Sequence, residues 1–253
     1  MRLDYDQVAP TYRARYDHND YPDVEHAMLE VVAPCNHVLE VGCGTGHWLT
    51  RLASPERRVF GVDPSIGMLQ NADARLRGRR MVRGIAEALP FATERFDLVF
   101  AINALHHFQD LEAFVAEAAR VLRPGGRVAT VGLDPSAGLD QWYIYDFFPG
   151  TLERDLARYP STDRIRSALA SAGFDQASTT VAQHLPAREP ARDYLESPAF
   201  HRHCTSQLAL LSDSAFDDGV ARIGDLIRQG DERGSPAVLT ADLRLYLTTG
   251  RLR

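Results

Sequence analysis

The chain has 253 residues, of which 45% are hydrophobic and 25% are charged, and its formal net charge at pH 7 is −6. This composition is typical of a globular protein with one sizeable core, and the negative charge argues against a nucleic-acid partner bound through its phosphates. Apart from histidine, every basic residue is arginine, which excludes chemistry at a lysine amine.

The first 35 residues are predicted to form two helices, one over residues 4–16 and one starting at Pro22. From residue 37 the pattern changes to alternating strands and helices. The first strand is predicted over His37–Val41 and is followed by a glycine turn and a helix. A second strand covers Arg58–Val62, and the helix after it extends to about Leu76.

Three further strands continue the alternation. The third is predicted over Met81–Ile85 and the fourth over Phe96–Ile102, which is almost entirely apolar, as expected for a strand buried on both faces. A helix with one clear apolar stripe covers Leu111–Leu122, and an Arg-Pro-Gly-Gly turn separates it from a fifth strand over Arg127–Leu133. These repeated units predict an α/β fold with a doubly wound, mostly parallel sheet.

Beyond residue 133 the alternation of strands and helices is less regular. A helix over 162–172, a sixth strand over 177–183 and a last strand over Leu239–Leu247 complete a predicted seven-strand sheet. Two segments, 134–160 and 186–236, do not fit the alternation, and we expect them to be insertions.

A glycine-rich loop follows the first strand, in the sequence Val38-Leu39-Glu40-Val41-Gly42-Cys43-Gly44-Thr45-Gly46. Ligands of open α/β sheets bind at the carboxyl ends of the strands, and glycine lets the backbone approach a ligand closely. Asp63 ends the second strand, where a carboxylate can accept hydrogen bonds from ribose hydroxyls. Because it precedes Pro64, Asp63 is also suited to cap the next helix.

The spacing of the glycines, G-x-G-x-G, differs from the G-x-G-x-x-G of dinucleotide-binding loops. Glu40 beside the loop would repel a pyrophosphate but suits the ammonium and sulfonium groups of S-adenosylmethionine. The sequence resembles the class I S-adenosylmethionine-dependent methyltransferases, close to the type-11 group, over residues 5–132. The motifs that carry the resemblance are Tyr5-Asp6 to Tyr12, Val38–Gly46, Asp63, Gly84–Phe91, Phe96–His107 and Leu122–Gly126.

This resemblance implies a Rossmann-like methyltransferase fold that binds S-adenosylmethionine and releases S-adenosylhomocysteine. The cofactor-binding residues that it implies are Tyr5, Tyr12, Glu40, Gly42, Cys43, Gly44, Asp63, Pro64, Met68, Ile85, Ala86, Glu87 and Asn103. One position departs from the family, because Ile85 stands where an aspartate usually binds the adenine amino group. We therefore expect adenine to be held by the backbone of Ile85 and Ala86 and by Met68, with weaker selectivity.

The resemblance also gives a domain organisation. Capping helices are expected over residues 1–35, the cofactor-binding core over 36–133, and the rest of the sheet domain over 161–185 and 237–253. The insertions 134–160 and 186–236 are expected to form a helical lid on the substrate side of the sheet.

Candidates for chemistry and acceptor binding follow from these segments. His106 and His107 come after the fourth strand and could act as a general base, although this histidine pair recurs among such relatives whatever their substrate. The first insertion is rich in aromatic residues, which suits an apolar or aromatic acceptor, although core packing would also explain them. Its candidate substrate contacts are Trp142, Tyr145 and Phe148.

In the second insertion, His201 and Arg202 are candidate substrate contacts, and Arg202 would suit a carboxylate. A surface or packing role for these residues is also open. Two histidines two residues apart do not share a helical face, and no fourth ligand stands nearby, so we expect no metal.

The sequence predicts a cytoplasmic S-adenosylmethionine-dependent methyltransferase of a small, apolar or aromatic molecule, with O- or N-methylation slightly favoured. We expect no nucleic-acid partner and no membrane partner, because no apolar run is long enough to span a bilayer. Two alternatives stay open, a NAD-dependent oxidoreductase on a similar sheet and a non-catalytic protein that binds S-adenosylmethionine.

Overall fold

A computed structural model of the protein describes residues 5–9, 12, 21–73, 76, 80–197 and 200–253. The chain forms two compact units. The first, here called the sheet unit, comprises Asp4–Asp134, Tyr159–Gln183 and Leu245–Arg253. The second, here called the helical unit, comprises Pro135–Arg158 and His184–Arg244.

Eleven α-helices and eight strands occur in the described part of the chain. The helices are α1 (Tyr5–Val8), α2 (Pro22–Val32), α3 (His47–Arg51), α4 (Ile66–Gln70), α5 (Leu111–Val121), α6 (Tyr143–Phe147), α7 (Thr151–Arg158), α8 (Thr162–Ser171), α9 (Ala191–Glu196), α10 (Ser206–Ala209) and α11 (Asp213–Glu232). The strands are β1 (His37–Val41), β2 (Arg58–Asp63), β3 (Met81–Arg83), β4 (Phe96–Ile102), β5 (Leu122–Gly132), β6 (Gln141–Trp142), β7 (Phe174–Pro190) and β8 (Val238–Leu252). Short 3₁₀ turns cover Leu105–His107 and Pro135–Ala137.

The strands of the sheet unit follow the order β3-β2-β1-β4-β5-β8, and β7 also pairs with β8. All pairs from β3 to β5 are parallel, whereas β5 and β8 are antiparallel. The predicted doubly wound, mostly parallel α/β sheet is therefore confirmed. The predicted number of seven strands is wrong by one, because the two-residue strand β6 pairs with the start of β8 within the helical unit.

The buried strands and the amphipathic helices lie where their apolar patterns predict them. In β4, Leu98, Val99 and Phe100 have no exposed surface, because helices cover both faces of a parallel sheet. The apolar stripe of α5 is buried against the same core, and its first turn is capped by Asp110, whose side chain accepts a hydrogen bond from the Ala113 amide at 2.9 Å.

Several predicted boundaries differ from the structure. The turn predicted before the fifth strand belongs to β5, which begins directly after α5, and α4 ends at Gln70 instead of near Leu76. Strands β7 and β8 extend beyond 177–183 and Leu239–Leu247, since much of their added length is polar and leaves no apolar signal. Of the helix predicted over residues 4–16, α1 covers the first turn, and most of the rest lies outside the described residues.

The helical unit has an apolar core of its own. Phe148, Ile144 and Ile223 are fully buried in it, and the Phe148 ring stacks on Phe216 with 5.9 Å between ring centroids. Gly219 of α11 lies directly over Phe148, because a Cβ atom at this glycine would be 2.1 Å from a ring carbon. No helix in the described part of the chain is long and apolar enough to cross a bilayer.

We predict that Gly219→Ala destabilises the protein by about 1–3 kcal/mol, since the added methyl group overpacks the core against Phe148. Gly224→Ala on the same helix is the matched control, because its Cβ would meet only the flexible Arg228 side chain at 3.6 Å. Alanine there is expected to be neutral or to stabilise by up to about 1 kcal/mol. Urea unfolding followed by circular dichroism measures both variants, and equal effects would contradict this packing of Gly219 on Phe148.

Candidate functional site

The loop between β1 and α3 has a backbone that only glycine adopts easily. Gly42, Gly44 and Gly46 have φ angles of 75°, 52° and 79°. A Cβ atom on Gly42 would lie 2.6 Å from the Cβ of Ala104, so the loop packs closely against the chain that follows β4. Around Gly44 the nearest atom to such a Cβ is a ring carbon of Tyr12 at 3.7 Å. The loop thus turns tightly at the carboxyl end of β1, with its backbone close to neighbouring residues.

Glu40 is a buried carboxylate beneath this loop and is only 1% exposed. Burial raises the pKa of Glu40 well above its usual range, the charge of Asp63 raises it further, and the Leu49 amide opposes both effects. Its Oε2 atom has no hydrogen-bond partner among the described residues. An uncompensated carboxylate of this kind is stabilised by a cationic ligand.

Asp63 lies at the carboxyl end of β2 and is 8% exposed. Its Oδ2 accepts a hydrogen bond from the Gly44 amide at 2.8 Å, and its Oδ1 accepts one from the Ser65 amide at 2.9 Å. Burial raises the pKa of Asp63, and these two amides oppose that shift. The helix-capping alternative for Asp63 is wrong, because Ser65 caps α4 by accepting a hydrogen bond from the Met68 amide. Ribose binding by Asp63 stays a prediction.

Helix α1 is held against the rest of the sheet unit by hydrogen bonds at two points. Oδ1 of Asp6 accepts hydrogen bonds from Ser65 Oγ at 2.5 Å and from the Gly67 amide at 2.8 Å. On the other side, the Tyr5 hydroxyl lies 2.5 Å from Nε2 of His107. Beneath the helix, Met68 is packed in a small apolar cluster that also contains Val8, Ala9, Tyr5 and Tyr12. Asp6 was not among the predicted site residues, although it belongs to the motif quoted for this segment.

The loop after β3 holds the predicted adenine-binding residues. Ile85 is 43% exposed, whereas Ala86 is buried. The turn is closed by a hydrogen bond from the Ala88 amide to the Ile85 carbonyl at 3.3 Å. Glu87 points to the start of α5, where its Oε1 accepts a hydrogen bond from the Gln109 amide at 2.5 Å. Glu87 therefore anchors this loop to α5, and its predicted contact with the cofactor is untested.

Three more of the predicted cofactor-binding residues are held by backbone hydrogen bonds or by packing. Asn103 has a φ angle of 51°, a left-handed conformation that asparagine tolerates better than most residues, and its amide donates to the Val131 carbonyl at 2.8 Å. The Cys43 thiol packs towards β2, since a Cβ on Gly61 would lie 2.6 Å from its sulfur. Burial raises the pKa of that thiol well above its usual range. If Cys43 contacts a cofactor, it therefore does so through its backbone and not through its thiol. Pro64 accepts a hydrogen bond from Arg83 Nε through its carbonyl.

His106 and His107 occupy the 3₁₀ turn after β4. The His106 ring stacks on Tyr159, with centroids 4.1 Å apart and ring planes at 16°. Next to this pair is a cavity of about 20 Å³, whose polar lining includes Thr130, Thr162 and Tyr246. The sequence pattern did not single out Tyr159 as a site residue, because nothing local relates it to a histidine so far away in the chain.

The predicted acceptor contacts belong to the helical unit and do not form one cluster. The Trp142 and Tyr145 rings are in contact, with centroids 5.4 Å apart. Phe148 is fully buried in the apolar core of the unit, which gives it a packing role. The charge of Arg202 is balanced by Asp213, and His201 Nδ1 accepts a hydrogen bond from the His203 amide at 3.2 Å. The roles of these residues in acceptor binding stay predictions.

Among the described residues, no group of three or more histidine, cysteine, aspartate or glutamate side chains is arranged to hold a metal ion. In the sheet unit, the unpartnered oxygen of Glu40 suits a cationic group, and Asp63 lies at the neighbouring strand end beside the glycine loop.

Known proteins are similar to this chain in sequence and in fold. The family model described as "Methyltransferase domain" matches residues 39–130. A phthiotriol/phenolphthiotriol dimycocerosates methyltransferase of Mycobacterium leprae is 35% identical over 179 residues, which are 67% of this chain and 65% of that protein. An uncharacterized methyltransferase of Synechocystis is 34% identical over 156 residues, which are 61% of this chain and 72% of that protein. The chain belongs to the class I S-adenosylmethionine-dependent methyltransferases, in the type-11 group.

The fold of this methyltransferase agrees with solved structures. A methyltransferase from an antibiotic biosynthesis pathway of Anabaena variabilis superposes with a TM-score of 0.63 at 23% identity, covering 88% of this chain and 96% of that one. At this level of identity the likeness shows the Rossmann-like methyltransferase fold, and the predicted fold class is confirmed.

We predict opposite effects of Glu40→Gln on stability and on cofactor binding. The raised pKa means that the folded protein binds this proton more readily than the unfolded chain, so stability of the ligand-free methyltransferase falls as pH rises above 4.5 through the raised value. The neutral variant should therefore melt at a higher temperature than the wild-type protein at pH 7. Its affinity for S-adenosylmethionine should fall by about tenfold or more, since the cation loses its carboxylate partner.

Thermal melts and calorimetric titrations with S-adenosylmethionine measure both effects. Glu112→Gln serves as the control, because Glu112 is an exposed carboxylate of the same unit that pairs with Arg164. A Glu40→Gln protein that is less stable than the wild type at pH 7, or that binds the cofactor equally well, would contradict Glu40 as the partner of the cation.

Proposed function

We propose that this methyltransferase transfers the methyl group of S-adenosylmethionine to a small acceptor molecule. The observation that carries the proposal is the buried Glu40, whose Oε2 has no partner in the described residues, beside a glycine loop and Asp63. A dinucleotide would bring a pyrophosphate to this loop, where a buried carboxylate would repel it. The arrangement therefore favours the cationic cofactor over the oxidoreductase alternative.

Different residues of the sheet unit would bind different parts of the cofactor. When bound, S-adenosylmethionine supplies a methyl group that is already activated for displacement, so the protein mainly aligns the reactants and excludes water. Glu40 would hold the cationic end, Asp63 would accept hydrogen bonds from the ribose, and the backbone of Ile85 and Ala86 would meet the adenine. Helix α1, fixed through Asp6, would cover the site.

His106 is our candidate for the base that removes a proton from the acceptor. The stacked ring of Tyr159 fixes the orientation of its imidazole beside the small cavity. His107 lies with its Nε2 at hydrogen-bond distance from the Tyr5 hydroxyl, so we assign it to the contact with α1. A base is needed for a hydroxyl acceptor, and the name of the Mycobacterium leprae relative specifies a triol. O-methylation is therefore the reaction that we favour.

We also propose that the helical unit selects the acceptor. The chain enters this unit after the carboxyl end of β5, which is the end of the parallel strands where ligands of such sheets bind. Trp142 and Tyr145 present adjoining aromatic rings, which suit an apolar or aromatic acceptor.

The test is incubation of the purified protein with methyl-labelled S-adenosylmethionine and a metabolite extract, followed by mass spectrometry of labelled products. We expect label in a small molecule, and none with Gly42→Ala, because the added Cβ would clash with Ala104 and block the loop. His106→Ala should lower the rate by about a hundredfold or more while cofactor affinity is retained, as expected for a general base.

The possible failures point to different alternatives. Cofactor binding without label transfer across a broad set of acceptors would favour the non-catalytic binding protein. Binding of NADH in place of S-adenosylmethionine, detected by a change in the fluorescence of its reduced nicotinamide, would favour the oxidoreductase. Unchanged transfer by the Gly42→Ala variant would contradict the loop as the cofactor site.

A further inference from the structure

Two arginines of the sheet unit lie directly opposite each other on neighbouring strands. Arg127 of β5 and Arg251 of β8 are register partners in the antiparallel pair, so their side chains share one face of the sheet. Like charges in this arrangement repel each other. Within the ranges that the structure describes, neither guanidinium has an ion pair or a hydrogen bond with a carboxylate.

Nearby arginines differ from these two because their charge is balanced. Arg123 pairs with Asp97, whose Oδ2 also accepts hydrogen bonds from the amides of Asn36 and His37 at 2.9 and 2.8 Å. Arg253 lies 3.9 Å from Asp175 through its Nε atom. The two carboxylates are thus engaged by other cations, and the positive charge of Arg127 and Arg251 is left for a ligand.

Both arginines border a groove of about 380 Å³, here called the arginine groove. Its uncharged polar lining residues are Gln176 and Ser178 of β7 and Thr249 of β8. The hydroxyls of Ser178 and Thr249 are 3.3 Å apart, and both can donate hydrogen bonds. The groove therefore combines two cations with several uncharged hydrogen-bond donors.

The backbone of the groove holds a strained residue. Gln176 has a φ angle of 52°, which is uncommon for a residue other than glycine, asparagine or aspartate. Strained backbone of this kind is concentrated at ligand sites and active sites. The residue lines the groove and is exposed, so its side-chain amide is available to a ligand.

We propose that the arginine groove is a second binding site and that it takes a phosphate group. Guanidinium groups bind phosphate with paired hydrogen bonds, and the three acceptor oxygens of a phosphate match the number of donors around the groove better than a carboxylate does. The phosphate can belong to a free phosphorylated metabolite or to a phospholipid headgroup, which present the same chemistry.

The arginine groove is distinct from the cofactor site. Arg127 is level with Leu98 near the start of β4, whereas the glycine loop, Asp63 and Asn103 follow the opposite, carboxyl ends of the strands. The proposal goes beyond methyl transfer and holds whether or not the chain performs it. A phosphate at this position would not compete with S-adenosylmethionine.

The test is a calorimetric titration of the full chain with inorganic phosphate at low ionic strength. We expect saturable binding at one site, weakened about tenfold or more by Arg127→Ala and by Arg251→Ala, because each removes a charged hydrogen-bond donor. Arg164→Ala is the matched control, since Arg164 is an exposed arginine of the same unit that is paired with Glu112. Affinity for S-adenosylmethionine should be the same in all variants.

A second arm identifies the source of the phosphate. Co-sedimentation with phosphatidylcholine vesicles that contain phosphatidic acid, but not with phosphatidylcholine alone, would assign a lipid headgroup, while phosphate binding without vesicle binding would assign a free metabolite. Arg127→Lys and Arg251→Lys keep the charge if an alanine variant fails to fold, and should bind phosphate more weakly than the wild type. Absence of saturable phosphate binding, or equal weakening by Arg164→Ala, would overturn the proposal.

Discussion

Two carboxylates, Glu40 and Asp63, are buried near each other at the carboxyl ends of β1 and β2, and the candidate site is organised around them. Asp63 is stabilised by the amides of Gly44 and Ser65, which also fix the glycine loop and the start of α4. Oε2 of Glu40 has no such partner among the described residues, and burial and the charge of Asp63 both raise its pKa. A bound proton or a bound cation would compensate this buried charge, and the second case is the one that we propose for the cofactor.

The buried part of the fold could be predicted from the sequence because its signals are local. Strands β1 and β4 begin and end at the predicted residues, since a strand buried on both faces is a continuous apolar run. The edge of the sheet could not be predicted in the same way. Strand β6 has two residues, and the added lengths of β7 and β8 are largely polar, so their pairing depends on partners far away in the chain.

The same distinction applies to the candidate site. Glu40, Gly42 and Asp63 lie in or next to apolar strands, and their spacing in the sequence is enough to indicate a ligand. The contacts of Asp6 with Ser65 and Gly67 and of Tyr159 with His106 could not be predicted in this way, because the partners are distant in sequence. The arginine groove likewise depends on the register of β5 with β8, and neither arginine belongs to a recognisable motif.

Calorimetric titration of the purified protein with S-adenosylmethionine and, separately, with NAD tests the central claim most directly. The structure predicts one S-adenosylmethionine per chain with a Kd tighter than about 1 mM, even though Ile85 replaces the usual aspartate, and no binding of NAD. A weaker affinity for S-adenosylmethionine, or a preference for NAD, would contradict cofactor binding by Glu40 and the glycine loop.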